Sequence, residues 1–182
     1  EILRIGTETV NVQSTMKALY ESMGIGEDDL DLRLARANIL ARLRMMVLYY
    51  YANAKNSLVA GTGDKSEYLI GYFTKHGDGA ADFFPIRHLY KTQVRKLALH
   101  LGLPQKVALK PSSPQLYPGH KLFDELPLDY DRLDPVLMGL YDLGMRPFEV
   151  AEATKTSPEV VKGIQQRHER SQHKRLTAPS LL

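Results

Sequence analysis

The residues from 58 to 67, LVAGTGDKSE, combine a short apolar run, a glycine-rich turn and the start of a helix. Open α/β sheets bind their ligands at turns of this kind, where a strand ends. Gly61 and Gly63 permit a close backbone approach to a ligand, and Thr62 offers a hydroxyl. Glu67 adds a carboxylate, which suits Mg²⁺ together with phosphate oxygens and water. The turn is a candidate nucleotide and magnesium site, although a plain surface turn has the same spacing.

A second loop, residues 73–82 with the sequence FTKHGDGAAD, places two glycines between charged residues. Such a loop can adopt unusual backbone angles and wrap a polar ligand. Lys75 offers a point charge for phosphate, and Asp82 offers an acceptor for hydroxyl or amide groups. Solvated surface charges would give the same pattern, so the loop alone does not decide between the two interpretations.

Further cations lie on predicted helices: Lys91 just inside one helix, and Arg42 with Arg44 inside a longer one. Two residues that are two positions apart do not share a helix face, so the two arginines are expected to point in different directions. Exposed helical charges are the ordinary alternative for these residues.

Composition narrows the classes of function. The chain has 182 residues, is 43% hydrophobic and carries a net charge of +3, which predicts one globular domain and suits anionic ligands. It has no apolar stretch near the roughly 20 residues that a membrane helix needs, so we expect no membrane association and a cytoplasmic protein. Without cysteine it lacks a thiol nucleophile, so it cannot release ammonia from glutamine by thiol chemistry.

Hydrophobic spacing predicts the elements that hold these residues. The predicted strands are residues 9–12 and 58–60. The predicted helices begin at Ser14, at Asp29, at Leu89 with a stop at Gly102, near Asp131, at Pro147 and at Ser157 with Pro158. A loop rich in proline is expected between Pro111 and Pro127. Strands that alternate with helices, followed by helices alone, predict an α/β fold with a helical C-terminal end.

Four motifs occur in order along the chain: residues 38–45 (NILARLRM), 61–67 (GTGDKSE), 71–82 (GYFTKHGDGAAD) and 89–95 (LYKTQVR). Together they resemble the ammonia-dependent NAD synthetases. The resemblance continues in the KPSS of residues 110–113, the DEL of residues 124–126 and the HKR of residues 173–175. It implies a Rossmann-like parallel sheet flanked by helices, of the adenine nucleotide alpha-hydrolase-like type.

The resemblance also implies a reaction and a role for individual residues. ATP would adenylate deamido-NAD, and ammonia would then displace AMP to give NAD. The implied ATP contacts are Thr62, Lys91 and Ser113, and the implied magnesium ligand is Glu67. The implied deamido-NAD contacts are Arg42, Lys75, Asp82, His173 and Lys174. Family members are homodimers, and the helix that carries Arg42 would belong to the interface.

The family's N-terminal Ser-Gly-Gly-x-Asp-Ser loop, which cradles pyrophosphate, does not occur in the sequence. We therefore expect residues 1–182 to be a single NAD synthetase domain without that loop and the first strands.

Three other functions are compatible with parts of the sequence. Residues 147–161 resemble a helix-turn-helix followed by a basic tail, which would suit nucleic acid. The start of its second helix, however, offers no amide or guanidinium group to read a base, and we expect no nucleic-acid partner. Another ATP pyrophosphatase-type ligase and a catalytically inactive subunit are the remaining alternatives.

Overall fold

A computed structural model describes residues 5–26, 32–111, 128–177 and 180 of the chain. The first helices are α1 Gln13–Met23, α2 Arg33–Ala54, α3 Lys65–Leu69, α4 Lys91–His100 and α5 Gln105–Ala108. They are followed by α6 Tyr130–Leu137, which continues as a π-helical turn Met138–Asp142, by α7 Pro147–Thr154 and α8 Pro158–Arg170, and by a 3₁₀ turn Gln172–Lys174. Within the described ranges, no helix is long and apolar enough to cross a bilayer.

The predicted helix boundaries are confirmed where a residue with a strong local preference marks them. Ser157 accepts a hydrogen bond from the Val160 amide at 3.4 Å and caps α8, and Pro158 occupies its first position. Gly102 follows α4 with a φ of +77°, a conformation that glycine adopts without strain. These starts and stops depend on neighbours in sequence, so the sequence alone predicts them.

The buried face of α2 is only partly predicted by its sequence. The three- and four-residue spacing predicts a packing face of Leu32, Ala35, Ile39, Leu43, Met46, Val47 and Tyr50; Leu43 is buried, but Leu32, Met46 and Tyr50 are 47%, 68% and 68% exposed. The other buried positions are Ala37, Ala41, Met45 and Ala52. Apolar residues surround most of this helix, so their spacing does not select one face, and the small alanines allow the following loops to approach closely.

The two predicted strands are not formed in the described part of the chain. Residues 5–10 are exposed and irregular. Near residues 58–60 the structure has one parallel bridge, between Ala60 and Phe83, flanked by a hydrogen bond from the Gly61 amide to the Phe83 carbonyl at 2.8 Å. A pair of two strands has little stability of its own without further strands or a covered face. The described residues therefore form a short bridge here and no longer strand.

The main core lies where α3, α6, α7 and α8 meet. Its fully buried members include Tyr130, Leu133, Val136, Leu137, Val150, Val161 and Ile164. Val150, Ala151 and Val161 of the helix-turn-helix-like segment thus face this core and have a packing function. The core fixes α6 against α3 and α4, which carry most of the candidate site.

Candidate active site

The glycine-rich turn is shaped by a close approach of Phe84. A Cβ atom added to Gly61 would lie 2.2 Å from Cε1 of the Phe84 ring, well inside van der Waals contact. Glycine is therefore required at this position for steric reasons. Thr62, the next residue, is exposed and lies on the wall of a cavity.

Asp64 and Glu67 form a capping box at the start of α3. The Asp64 carboxylate accepts a hydrogen bond from the Glu67 amide at 2.9 Å, and Glu67 Oε2 accepts one from the Asp64 amide at 3.2 Å. Such reciprocal bonds satisfy amides that have no partner within the helix. Glu67 therefore belongs to the first turn of α3 and is fixed in direction by it.

Lys91 joins this pair of carboxylates from the start of α4. Its Nζ atom lies 2.5 Å from Asp64 Oδ2 and 2.8 Å from Glu67 Oε1. Burial of the ammonium lowers the pKa of Lys91, but the charges of Glu67 and Asp64 outweigh burial and the net pKa is raised. Burial, followed by the charge of Glu67, raises the pKa of Asp64, and Lys91 opposes the rise. The three groups form one coupled charged cluster.

The Gly-Asp-Gly loop is held against α2. Asn38 Oδ1 accepts a hydrogen bond from the Thr74 hydroxyl at 2.7 Å, and Arg42 Nε donates to the Lys75 carbonyl at 3.2 Å. Gly77 fits between them, because a Cβ atom there would lie 3.0 Å from that of Ala41. Positions 38, 41 and 42 share one helix face, so the Asn-x-x-Ala-Arg spacing places three contacts on the same loop.

Asp82 joins that loop to the turn. Its Oδ2 atom accepts a hydrogen bond from the Val59 amide at 2.7 Å, and its Oδ1 atom accepts one from the Tyr49 hydroxyl at 3.4 Å. Burial, followed by the charge of Asp82, raises the pKa of Tyr49. The Tyr49 hydroxyl therefore remains a hydrogen-bond donor at neutral pH. The carboxylate thus holds the segment before Gly61 in place.

The C-terminal tail covers the carbonyl groups that follow α3. Lys174 Nζ donates to the carbonyl oxygens of Gly71 at 2.8 Å and Phe73 at 2.9 Å. Arg175 donates to the Leu69 carbonyl at 3.2 Å and to the carbonyl of His168. The tail therefore places cations at the edge of the site.

A cavity of about 440 Å³ lies between α2, the glycine-rich turn and the tail. Its lining includes Asn38, Arg44, Thr62, Thr74, Arg167 and Lys174. Asp78 adds one carboxylate, which accepts a hydrogen bond from the Thr74 amide at 2.8 Å. Cations exceed acids among these residues, so the cavity is suited to an anionic ligand with polar groups.

A protein-family model described as NAD synthase matches residues 1–178. The chain belongs to the NAD synthase family. The resemblance drawn from the ordered motifs is confirmed, since the match spans all of them.

Curated relatives of this NAD synthase family member share the same description. The "NH(3)-dependent NAD(+) synthetase" of Hyperthermus butylicus is 48% identical over 99% of the chain and 64% of its own length. That of Pyrobaculum aerophilum is 56% identical over 65% of the chain and 44% of its own length. The chain thus spans about half to two thirds of the relatives that it matches.

Two solved structures have a similar arrangement. The NMN synthetase of Francisella tularensis matches with a TM-score of 0.81 and 33% identity, covering 99% of this chain and 68% of that one. The NH3-dependent NAD synthetase of Campylobacter jejuni, solved with a nitrate ion, matches with a TM-score of 0.72 and 29% identity, covering 95% and 63%. The described residues share the fold of these structures, and they form helices and one isolated parallel bridge.

The structure brings four of the predicted site residues of this chain into two groups and leaves the others apart. Glu67 and Lys91 are in contact in the charged cluster. Thr62 and Lys174 line the same cavity. The remaining predicted residues lie as follows: Arg42 binds the backbone of Lys75, Asp82 binds that of Val59, His173 is exposed, and Ser113, like most of the proline-rich loop, lies outside the described residues.

Asp64 lies in the motif of residues 61–67, and a local sequence signal also indicates its structural role. An Asp followed three residues later by Glu at a helix start is the signature of a capping box. Arg167, by contrast, reaches the cavity from α8, and Asp134 is buried under α4. Neither belongs to a local pattern, so sequence reasoning missed both.

The donor set around Glu67 is compatible with one magnesium ion that also binds a nucleotide. No group of three or more acidic, histidine or cysteine side chains capable of holding a metal occurs in the described ranges. Mg²⁺ needs one or two protein carboxylates when phosphates and water complete its shell. Each Glu67 oxygen accepts one hydrogen bond and retains lone-pair capacity for a metal.

Proposed function

We propose that the protein to which this chain belongs amidates deamido-NAD to NAD, with ammonia as nitrogen donor and ATP as activator. ATP transfers AMP to the nicotinic acid carboxylate and releases pyrophosphate. Ammonia then attacks that carbonyl and displaces AMP. The function is supported by family membership and by the names of relatives that are 38–56% identical to the chain.

The observation that carries the proposal is the cavity next to the glycine-rich turn. Thr62 lies on its wall at the turn, and Arg44, Arg167 and Lys174 surround it with cations. A carboxylate substrate can therefore lie there with its charge opposed by protein groups, beside the turn that leads to Glu67 and the charged cluster. Positioning and charge neutralisation suffice for this reaction, because no side chain must form a covalent bond.

We assign the residues as follows. Thr62, Lys91 and Ser113 bind ATP, and Glu67 holds Mg²⁺ together with phosphate oxygens. Arg42, Lys75, Asp82, His173 and Lys174 bind or position deamido-NAD. When bound, Mg²⁺ would oppose the charge that develops on the departing pyrophosphate. Lys91, held beside Glu67, would supply a second positive charge to the same phosphates.

We further propose the arrangement that the resemblance implies: residues 1–182 belong to one domain with a Rossmann-like parallel sheet of the adenine nucleotide alpha-hydrolase-like type. The assembly would be a homodimer, and the location cytoplasmic. The match to a family of ATP-consuming synthetases supports this proposal.

The test is an assay of the full-length protein with ATP, magnesium, deamido-NAD and ammonium. We expect equimolar NAD and AMP. Nicotinic acid mononucleotide should be tested in parallel, because one similar structure is described as an NMN synthetase. Preferential use of the mononucleotide would change the substrate assignment, and failure to form either amide with AMP would reject the function.

A further inference from the structure

Asp134 is a buried carboxylate on α6 that lies outside every motif discussed so far. It is 3% exposed. Its Oδ1 atom accepts a hydrogen bond from the Ser66 hydroxyl at 2.5 Å. Its Oδ2 atom accepts bonds from the Thr92 amide at 2.8 Å and the Thr92 hydroxyl at 2.7 Å. One side chain therefore connects three helices, α3, α4 and α6.

These bonds place Asp134 at the start of α4. The first amides of a helix have no acceptor within it and need one from elsewhere. Here the Thr92 amide is bound by Asp134 directly, and the Lys91 amide donates to Ser66 Oγ at 2.9 Å, which in turn donates to Asp134. The carboxylate thus receives two successive amides, one of them through a hydroxyl.

The cap of α4 comes from another helix because its own N-cap residue does not provide one. That residue is Tyr90, whose side chain makes no capping hydrogen bond and whose hydroxyl donates to Asp142 at 3.0 Å. The helices α6 and α8 are capped by their own Asp129 and Ser157. The position of α4 consequently depends on α6, unlike that of a self-capped helix.

The residues next to these contacts carry the charged cluster. Lys91 precedes Thr92, and Glu67 follows Ser66. Their Nζ and Oε1 atoms meet at 2.8 Å. A relative shift of α3 and α4 would change this distance directly, and Asp134 restrains that shift.

We infer that Asp134 is a positioning residue, which keeps the Lys91 ammonium and the Glu67 carboxylate in register for binding of ATP and magnesium. The inference rests on the proposed function of that cluster. A purely structural cap would leave nucleotide and metal binding unchanged once the protein is folded. The two roles therefore predict different measurements.

The chemistry favours a role beyond packing. Burial raises the pKa of Asp134, and the hydrogen bonds from Ser66 and Thr92 oppose that rise. A buried carboxylate costs free energy that an apolar side chain in the same place would not. What the carboxylate adds is direction, because its two oxygens fix the orientation of both neighbouring helices.

The experiment compares Asp134→Asn with Asp129→Asn in the full-length protein. Each substitution removes a carboxylate that caps a helix: Asp134 caps α4, and Asp129 caps α6. Asp129, however, is exposed and accepts a hydrogen bond from the Arg132 amide of its own helix. We expect Asp134→Asn to raise both the KM for ATP and the half-saturating magnesium concentration about tenfold, since misplacement of binding groups weakens binding. Asp129→Asn should leave both within about twofold of wild type, since exposed sites couple weakly to distant ones.

Thermal melts show whether each variant is folded, and wild-type formation of NAD is measured first. If the wild-type protein forms no NAD, the proposed function is rejected. The affinity for ATP, measured with and without magnesium, would still show whether Asp134 positions the charged cluster. Equal ATP and magnesium behaviour in folded Asp134→Asn and wild type would overturn the inference. If Asp134→Asn does not fold, Thr92→Val removes one donor at nearly constant volume; a smaller shift in the same direction supports the inference, and no shift overturns it.

Discussion

Glu67 serves α3 and the charged cluster at once. One oxygen accepts from the Asp64 amide and the other from Lys91. Its side chain is 21% exposed, so it lies close enough to solvent to reach a ligand. Because a neutral amide retains the capping acceptor but not the charge, substitution can separate these two contributions.

We expect Glu67→Gln to lower turnover at limiting magnesium about a hundredfold, because the metal loses its charged protein ligand. The free energy of unfolding should fall by about 1 kcal/mol, since the glutamine can still accept from the Asp64 amide. Kinetics over a magnesium titration and urea unfolding measure the two effects. Glu149→Gln is the matched control, since Glu149 likewise accepts a hydrogen bond from the N-cap amide of its own helix, that of Arg146 in α7, at 2.8 Å. Similar magnesium dependence in the two variants would contradict the metal role of Glu67.

His168 makes stability depend on pH. Its Nδ1 atom lies 2.7 Å from the Leu69 carbonyl, to which it donates. Burial is the main cause of a lowered pKa for His168, and the charge of Arg175 lowers the pKa further. The hydrogen bond to the Leu69 carbonyl and the charge of Glu169 oppose this lowering. The unfolded state therefore takes up a proton at higher pH than the folded state. Stability from this group is complete above about pH 6.5 and is lost as the pH falls below that value.

In urea unfolding at pH 7.5 and 5.5, His168→Gln should lose less stability on acidification than wild type, because glutamine does not titrate and its amide can still donate to Leu69. His100→Gln, at the exposed end of α4, is the control. An unchanged pH dependence in His168→Gln would show that other groups dominate.

At the scale of elements, α2 acts as a support for the Gly-Asp-Gly loop. Its Asn38 and Arg42 hold the loop at Thr74 and Lys75. A helix is a rigid base, so these contacts limit the positions that the Lys75 side chain can reach. The same helix contributes Arg44 to the cavity wall, and the two arginines point in different directions, as their spacing predicts.

We expect Asn38→Ala to raise the KM for deamido-NAD about fivefold, which corresponds to the loss of one hydrogen bond of about 1 kcal/mol. Asn53→Ala, on an exposed position of the same helix, tests for a general effect on helix stability. Steady-state kinetics at saturating ATP distinguish them. If both variants behave alike, the Thr74 contact does not position the loop.

Helix ends were predictable from sequence, and packing was not. Ser157, Pro158 and Gly102 mark their boundaries through local preferences that any context preserves. The buried face of α2 depends on which loop lies against it, and that information is distant in sequence. The strand at residues 9–12 was predicted from a short alternation, which many irregular segments share.

At the scale of the whole molecule, α2 presents an exposed apolar surface. Met46 and Tyr50, four positions apart on one helix face, are both 68% exposed. Contiguous apolar residues on a surface commonly mark an interface. This agrees with the homodimer proposed for the protein, in which the helix bearing Arg42 would belong to the contact.

We expect Met46→Glu to weaken the dimer about a hundredfold or more, because an unpaired carboxylate in an apolar interface costs several kcal/mol. Met23→Glu, at a position of α1 that is 56% exposed, is the control. Sedimentation velocity over a concentration series measures the dissociation constants. Unaltered association of Met46→Glu would place the interface elsewhere.

The site itself was only partly predictable. The sequence motifs identified Glu67 and Lys91 as site residues. Only the structure shows that these two side chains are in contact and that Asp64 also binds Lys91. Asp134 was not foreseeable, because its partners Ser66 and Thr92 are 68 and 42 residues away. Such long-range hydrogen bonds leave no spacing pattern in the sequence. Sequence patterns can therefore identify the residues that bind ligands but not the residues that position them.

The contact between Gly61 and Phe84 restricts how this region can evolve. Any side chain at position 61 would overlap the phenyl ring, whose Cε1 atom would lie 2.2 Å from the new Cβ. A smaller residue at position 84 would first open a void, and that void would then accommodate an alanine at position 61. The two substitutions are therefore coupled, and their effects should not add. Divergence here has a preferred order, with the aromatic residue shrinking before the glycine is replaced.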